Sequence, residues 1–138
     1  MSRTIMDSGP LVAWFCKRDL HHEWAVRVME DLPSGALVCE AVLAEVCHLA
    51  AKDGVPAAGV LKLVEQNDLV LVSLAAEMSV IRVLLERYKD APMDFADACV
   101  VRLAELNSGV TVCTTDSHFR FFRKSAGETI PLLAPFAN

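Results

Sequence analysis

Short apolar runs alternate with polar turns along the whole chain, and their period switches repeatedly between strand-like and helix-like. Thr4 to Met6 reads as a brief strand ending at Asp7. Ser8-Gly9-Pro10 then turns the chain, and Pro10 suits the first position of the helix that follows. Residues 21–32 read as a helix with Trp24, Val28 and Leu32 on one face. Ala36 to Cys39 is a second strand, followed by a helix from Ala41 to Lys52 that is apolar nearly all round. Pro56 opens another helix reaching Gln66, D-L-V-L-V-S from Asp68 to Ser73 is a strand, and Ala75 to Tyr88 is helical. A helix starts at Asp94 and reaches Asn107, Val110 to Thr114 is a strand, and Ser117 to Lys124 is a short helix or turn. Thr129 to Leu133 completes the pattern as a last strand. Strands alternating with helices at this spacing predict a three-layer α/β/α sandwich around a mainly parallel sheet of four to five strands. No repeat, low-complexity tract or Pro/Ser-rich linker divides the chain, so 1–138 reads as a single domain.

The totals narrow the class. Apolar residues make up 54% of the chain, yet a charged residue interrupts every block before it reaches membrane-spanning length. The start, M-S-R-T-I-M-D, lacks the basic-then-apolar plan of a secretory signal, so a cytoplasmic protein with no membrane association is expected. Five cysteines, odd in number and without CxxC spacing, read as reduced core thiols.

Five acids stand where charge is costly: Asp7, Glu45, Asp94, Asp97 and Asp116 all lie in or at the end of strongly apolar stretches. Setting them aside leaves 13 acidic against 13 basic residues, so they account for the net charge of −5. An acidic chain binds phosphate backbones poorly, and any nucleic-acid chemistry needs a metal and a local basic rim. Asp7 and Asp116 fall at the carboxyl ends of predicted strands, where parallel sheets bind ligands. Asp94 and Asp97, three apart at a helix start, share one face, with Asp94 placed as N-cap. Glu45 is mid-helix, and His48 is its one local candidate partner. Carboxylates with few His or Cys ligands favour Mg²⁺ or Mn²⁺ over zinc.

At these residues the chain resembles a PIN-domain nuclease of the VapC-like toxin type. The resemblance runs through I-M-D-S-G-P-L at Asp7, V-C-E-A-V-L-A-E-V-C-H-L-A at Glu45, P-M-D-F-A-D-A-C-V-V at Asp94 and Asp97, and T-T-D-S-H-F-R-F-F-R at Asp116. D-L-H-H-E-W-A, with Asp19 and His22, resembles the early helix of the same subgroup. The likeness implies a Mg²⁺-dependent endoribonuclease, a homodimer, and a cognate antitoxin protein that neutralises it. It assigns Asp7, Glu45, Asp97 and Asp116 to the acidic quartet, Asp94 to an accessory position, and Ser8 and Thr114 to supporting hydroxyls. Glu40 departs from the pattern, since relatives commonly carry a neutral residue there.

The resulting expectation is metal-assisted hydrolysis of an RNA phosphodiester, with Asp7 and Asp97 as the first direct ligands and Asp94, Asp116 and Glu45 completing the set. H-F-R-F-F-R-K, with Arg120, Arg123 and Lys124, offers an RNA-contacting surface, or alternatively Phe119 and Phe122 simply anchor an amphipathic turn. The other reading of the whole chain is a catalytically inactive PIN-like module that binds a cation and a protein partner. A phosphoacceptor of the receiver type is disfavoured, because no Lys follows T-T-D until Lys124.

Overall fold

The chain runs β1 (Thr4–Met6), α1 (Ser8–Phe15), α2 (His22–Asp31), β2 (Ala36–Cys39), α3 (Glu40–Ala51) and α4 (Ala57–Glu65). It continues through β3 (Leu69–Val72), a 3₁₀ turn at Ala75–Glu77, α5 (Met78–Arg87), α6 (Phe95–Leu106) and β4 (Thr111–Cys113). A second 3₁₀ turn at Ser117–Arg120 and β5 (Leu132–Leu133) complete it. The computed structural model describes residues 3–136; the outermost residues of the 1–138 span lie outside the described residues.

All five strands are parallel and lie in the order β3-β2-β1-β4-β5. The predicted α/β/α sandwich is therefore the observed fold, with the sheet parallel throughout. Ile5 sits opposite Leu37 on one side and Val112 on the other, so β1 is the central strand. The inner strands are buried on both faces, which is why β2 reads A-L-V-C rather than alternating. Strand order reverses between β1 and β4, and that switch point is where a parallel sheet opens a crevice at its carboxyl edge. Among the described residues, no helix is long and apolar enough to cross a membrane.

Most boundaries shift by a residue or so from expectation, and three differences are larger or change an element's make-up. α1 starts at Ser8, before Pro10, and proline is tolerated there because first-turn N–H groups have no intrahelical acceptor. The helix expected over 75–88 divides into a 3₁₀ turn and α5. β5 shrinks to two residues: Pro131 has no N–H to extend the ladder, and Thr129 pairs antiparallel with Arg123 instead.

Beyond β4 the aromatics divide. Phe119 and Phe122 are buried with ring centroids 5.1 Å apart, and Tyr88 meets Phe122 at 5.4 Å. The Arg123 N–H donates to the Tyr88 hydroxyl at 2.8 Å, tying this segment to the end of α5. The amphipathic-turn alternative holds for Phe119 and Phe122, whereas Phe121 is 65% exposed.

Candidate active site

Asp7 leaves β1 at the switch point, and its N–H donates to the Cys113 carbonyl at 3.0 Å, which fixes it against β4. It stands at the N-cap of α1, but its side chain caps nothing there. Instead Oδ2 accepts a hydrogen bond from the Thr114 hydroxyl at 2.7 Å. Only 4% of Asp7 is exposed. Burial pushes its carboxyl up to about 6, with the charges of Glu45 and Asp116 adding to the rise and bonds from Thr114 and Ser8 opposing it.

Thr114 links two acids: its oxygen also accepts the Asp116 N–H at 3.0 Å. Its own N–H donates to the Leu133 carbonyl at 3.1 Å. The next residue explains Gly9, because a Cβ there would stand 2.0 Å from the Thr115 hydroxyl oxygen. Sequence reading gave Gly9 only a turn role; its signal was a glycine two residues after the strand-end acid, in the first turn of a helix. Thr114→Val keeps the volume but removes the donor to a buried carboxylate and the acceptor for the Asp116 N–H. Stability is expected to fall by about 1–3 kcal/mol, read as the urea midpoint multiplied by an unchanged m-value.

Glu45 projects from α3 toward α1, where Oε1 accepts a hydrogen bond from the Ser8 hydroxyl. His48 is exposed, so it is Ser8, not the expected histidine, that partners Glu45. Asp94 and Asp97 form a reciprocal capping box on α6: Asp97 N–H to Asp94 Oδ1 at 2.9 Å, and Asp94 N–H to Asp97 Oδ2 at 3.0 Å. Burial pushes the Asp97 carboxyl up to about 8; the Asp94 backbone bond opposes this, and the charges of Asp94 and Asp7 add to it. Asp116 is engaged by its own turn, accepting from the His118 N–H at 2.9 Å and meeting His118 Nδ1 at 2.7 Å.

The five acids thus gather around Asp7, with Glu45, Asp97 and Asp116 in electrostatic reach of it and Asp94 beside Asp97. As the carboxylates lie, no three His, Cys, Asp or Glu side chains among the described residues are arranged to hold a metal ion. The reason is visible: each acid is turned toward a hydrogen-bond partner in its own neighbourhood, and like charges repel. Among the described residues, the ion pairs place no Lys or Arg on any of these five acids.

The basic segment flanks Asp116. Arg123 Nη1 donates to the carbonyls of Arg120 at 2.7 Å and Phe122 at 3.1 Å. The Arg120 guanidinium lies 5.7 Å from the Phe121 centroid and 5.3 Å from that of Phe136. The Lys124 N–H donates to the Glu128 carbonyl at 2.9 Å. Glu40 is exposed at the first residue of α3.

The sequence matches the PIN domain family over residues 4–124. Among solved structures, the fold is similar to that of VapC20 from Mycobacterium tuberculosis, a sarcin-ricin loop cleaving toxin. The TM-score is 0.73 and the match covers 83% of this chain and 90% of that one, at 19% sequence identity. Comparison with curated proteins found no match. The family match begins at β1 and runs past the last of the gathered acids, Asp116: the chain belongs to the PIN domain family.

Proposed function

We propose that this chain is a Mg²⁺- or Mn²⁺-dependent endoribonuclease, the toxin of a toxin–antitoxin pair. The observation that carries the reading is the buried Asp7 ringed by Glu45, Asp97 and Asp116, with its carboxyl raised. Elevated carboxyl groups report a site short of positive charge, and an all-oxygen donor set suits a hard divalent cation. When bound, such an ion neutralises phosphate charge and lowers the pKa of an attacking water.

The chain's own residues do the remaining work. Asp7 and Asp97 would hold the ion directly, with Asp116, Glu45 and Asp94 completing the carboxylate set. Thr114 orients Asp7 and the Asp116 backbone together, and Ser8 orients Glu45. His118 fixes one Asp116 oxygen, leaving the other available. Exposed Phe121, with Arg120, Arg123 and Lys124, offers stacking and phosphate contacts to single-stranded RNA beside the acids. The same reading takes the chain as one PIN-like domain acting in the cytoplasm as a homodimer, with a cognate antitoxin as partner.

Cleavage of defined RNAs with Mg²⁺ or Mn²⁺, lost on addition of EDTA, tests the proposal. A catalytically inactive module that binds a cation and a protein partner is the second reading. It is favoured by the hydrogen bond that each acid already accepts within the protein. RNA left intact by metal-loaded protein would establish it. Charge reversal at both Arg120 and Arg123 is expected to weaken RNA binding and flatten its salt dependence by a slope of about 1–2. Unchanged affinity in a salt titration would confine those arginines to their contacts within the segment.

A further inference from the structure

We propose that the pocket between the end of α5 and the turn after β4 is a nucleobase subsite, holding one unstacked RNA base that carries an exocyclic amino group. The inference deepens the nuclease reading and rests on it for the place of the RNA phosphate; the pocket itself follows from its walls. Tyr88, Asp90 and Pro92 form one wall, and His118, Phe121 and Phe122 the other, around an open cavity of about 270 Å³. Both walls lead into the acids. Asp94 follows Pro92 by two residues, and His118, two after Asp116, meets its Oδ1 through Nδ1 at 2.7 Å. A base seated here therefore belongs to a nucleotide beside the phosphate that the acids would handle.

The walls are held in place by the protein's own contacts. The Ala91 N–H donates to the Tyr88 carbonyl at 2.9 Å, closing the turn that carries Asp90. Across the cavity, Phe122 is buried and meets Tyr88 edge-on at 5.4 Å, and the Arg123 N–H donates to the Tyr88 hydroxyl at 2.8 Å. Phe121 lines the same pocket yet is 65% exposed, with the Arg120 guanidinium 5.7 Å from its centroid. An exposed ring beside rigid aromatic neighbours is a stacking surface that any base can use, and the guanidinium adds positive charge for the phosphate.

Size and polarity narrow the ligand. Pockets that enclose whole drug-sized ligands start at roughly 300 Å³, so this one suits a single flat ring system and not a stacked pair. Such a base must stand clear of a duplex, which restricts the RNA to single-stranded or looped segments at this position. Asp90 is the one carboxylate in the lining, and the ion pairs among the described residues place no cation on it. A carboxylate only accepts hydrogen bonds. Cytosine, adenine and guanine each bring an amino donor, whereas uracil turns a carbonyl oxygen to the corresponding edge.

The test titrates single-stranded RNAs, carrying 2-aminopurine at each position in turn, with the full-length Asp7→Asn protein in Mg²⁺. Stacking is read as fluorescence quenching, with no need for turnover. Quenching at one position is expected. An abasic nucleotide there should weaken binding roughly 5- to 100-fold. Phe121→Ala should cost intact RNA the same factor, and the two losses should not add when combined. Phe121→Trp should keep the affinity. Cytosine should bind roughly 2- to 10-fold tighter than uracil at that position, a preference that Asp90→Asn removes. The abasic and cytosine–uracil comparisons need no change in the pocket, so they decide the question even if a pocket variant misfolds. The proposal is overturned by quenching at no position, by an abasic penalty undiminished in Phe121→Ala, or by equal affinity for cytosine and uracil. RNA left intact by the parent while the binding results hold removes the nuclease reading and keeps the subsite; cleavage without them does the reverse.

Discussion

Asp7→Asn is expected to lower metal-dependent RNA cleavage by about a hundredfold or more, since even groups that only orient metal ligands commonly cost 10–100-fold. The fold should persist. An Asn oxygen can still accept the Thr114 hydroxyl bond, and the volume of this nearly closed site is unchanged. The backbone bond from Asp7 to the Cys113 carbonyl is also untouched. What disappears is the charge, which burial and the neighbouring acids already disfavour. The metal-free variant should therefore be at least as stable as the parent at neutral pH, because a desolvated carboxylate has been replaced by a neutral amide. Cleavage rates at saturating Mg²⁺ and urea midpoints without metal separate the two effects. An Asn variant that cleaves as fast as the parent removes Asp7 from the metal-holding set. A variant that merely unfolds transfers the role of Asp7 from chemistry to packing.

What the sequence made legible follows from how local each signal is. Asp7 and Asp116 stood out because parallel strands end in a shared crevice, and a charge at the end of an apolar run is visible in a few residues. The capping box at Asp94 and Asp97 is equally local, three residues apart on one helix turn. The partner of Glu45 was not legible: Ser8 lies 37 positions away, and nearest-neighbour reasoning chose His48 on the exposed side of the same helix. Ser8 and Thr114 entered through family resemblance, since a hydroxyl beside an acid is common in any turn; their bonds to Glu45 and Asp7 depend on tertiary packing. The run H-F-R-F-F-R shows the limit of periodicity. Three phenylalanines within four positions split into two core anchors and one exposed ring, a division set by Tyr88 and the packing beneath it.

A divalent cation is expected to stabilise the protein much more near pH 8 than near pH 5, because its carboxylates must first lose their protons. Asp7 titrates near 4 when unfolded and at about 6 when folded, so between those values the folded state binds more protons. Stability from this group is fully present below the unfolded value and is lost as pH rises through the folded one. For one buried carboxyl the loss is at most roughly 3 kcal/mol. Asp97 has the same sign and carries the decline further, toward its folded value of about 8. Glu105 has the opposite sign: against burial, bonds from Ser125 and Arg102 hold it low, so its contribution changes only at or below the ordinary glutamate range. Metal-free protein should accordingly lose melting temperature between about pH 5 and about pH 8, and millimolar Mg²⁺ should restore most of it at the upper end. Thermal melts with and without Mg²⁺ across that range provide the measurement, with Ca²⁺ and Na⁺ separating site binding from screening. Equal stabilisation at both ends would place the ion away from Asp7 and Asp97. Asp7→Asn should flatten the metal-free curve over the lower part of the window and leave the Asp97 portion, which assigns each segment of the pH profile to one carboxylate.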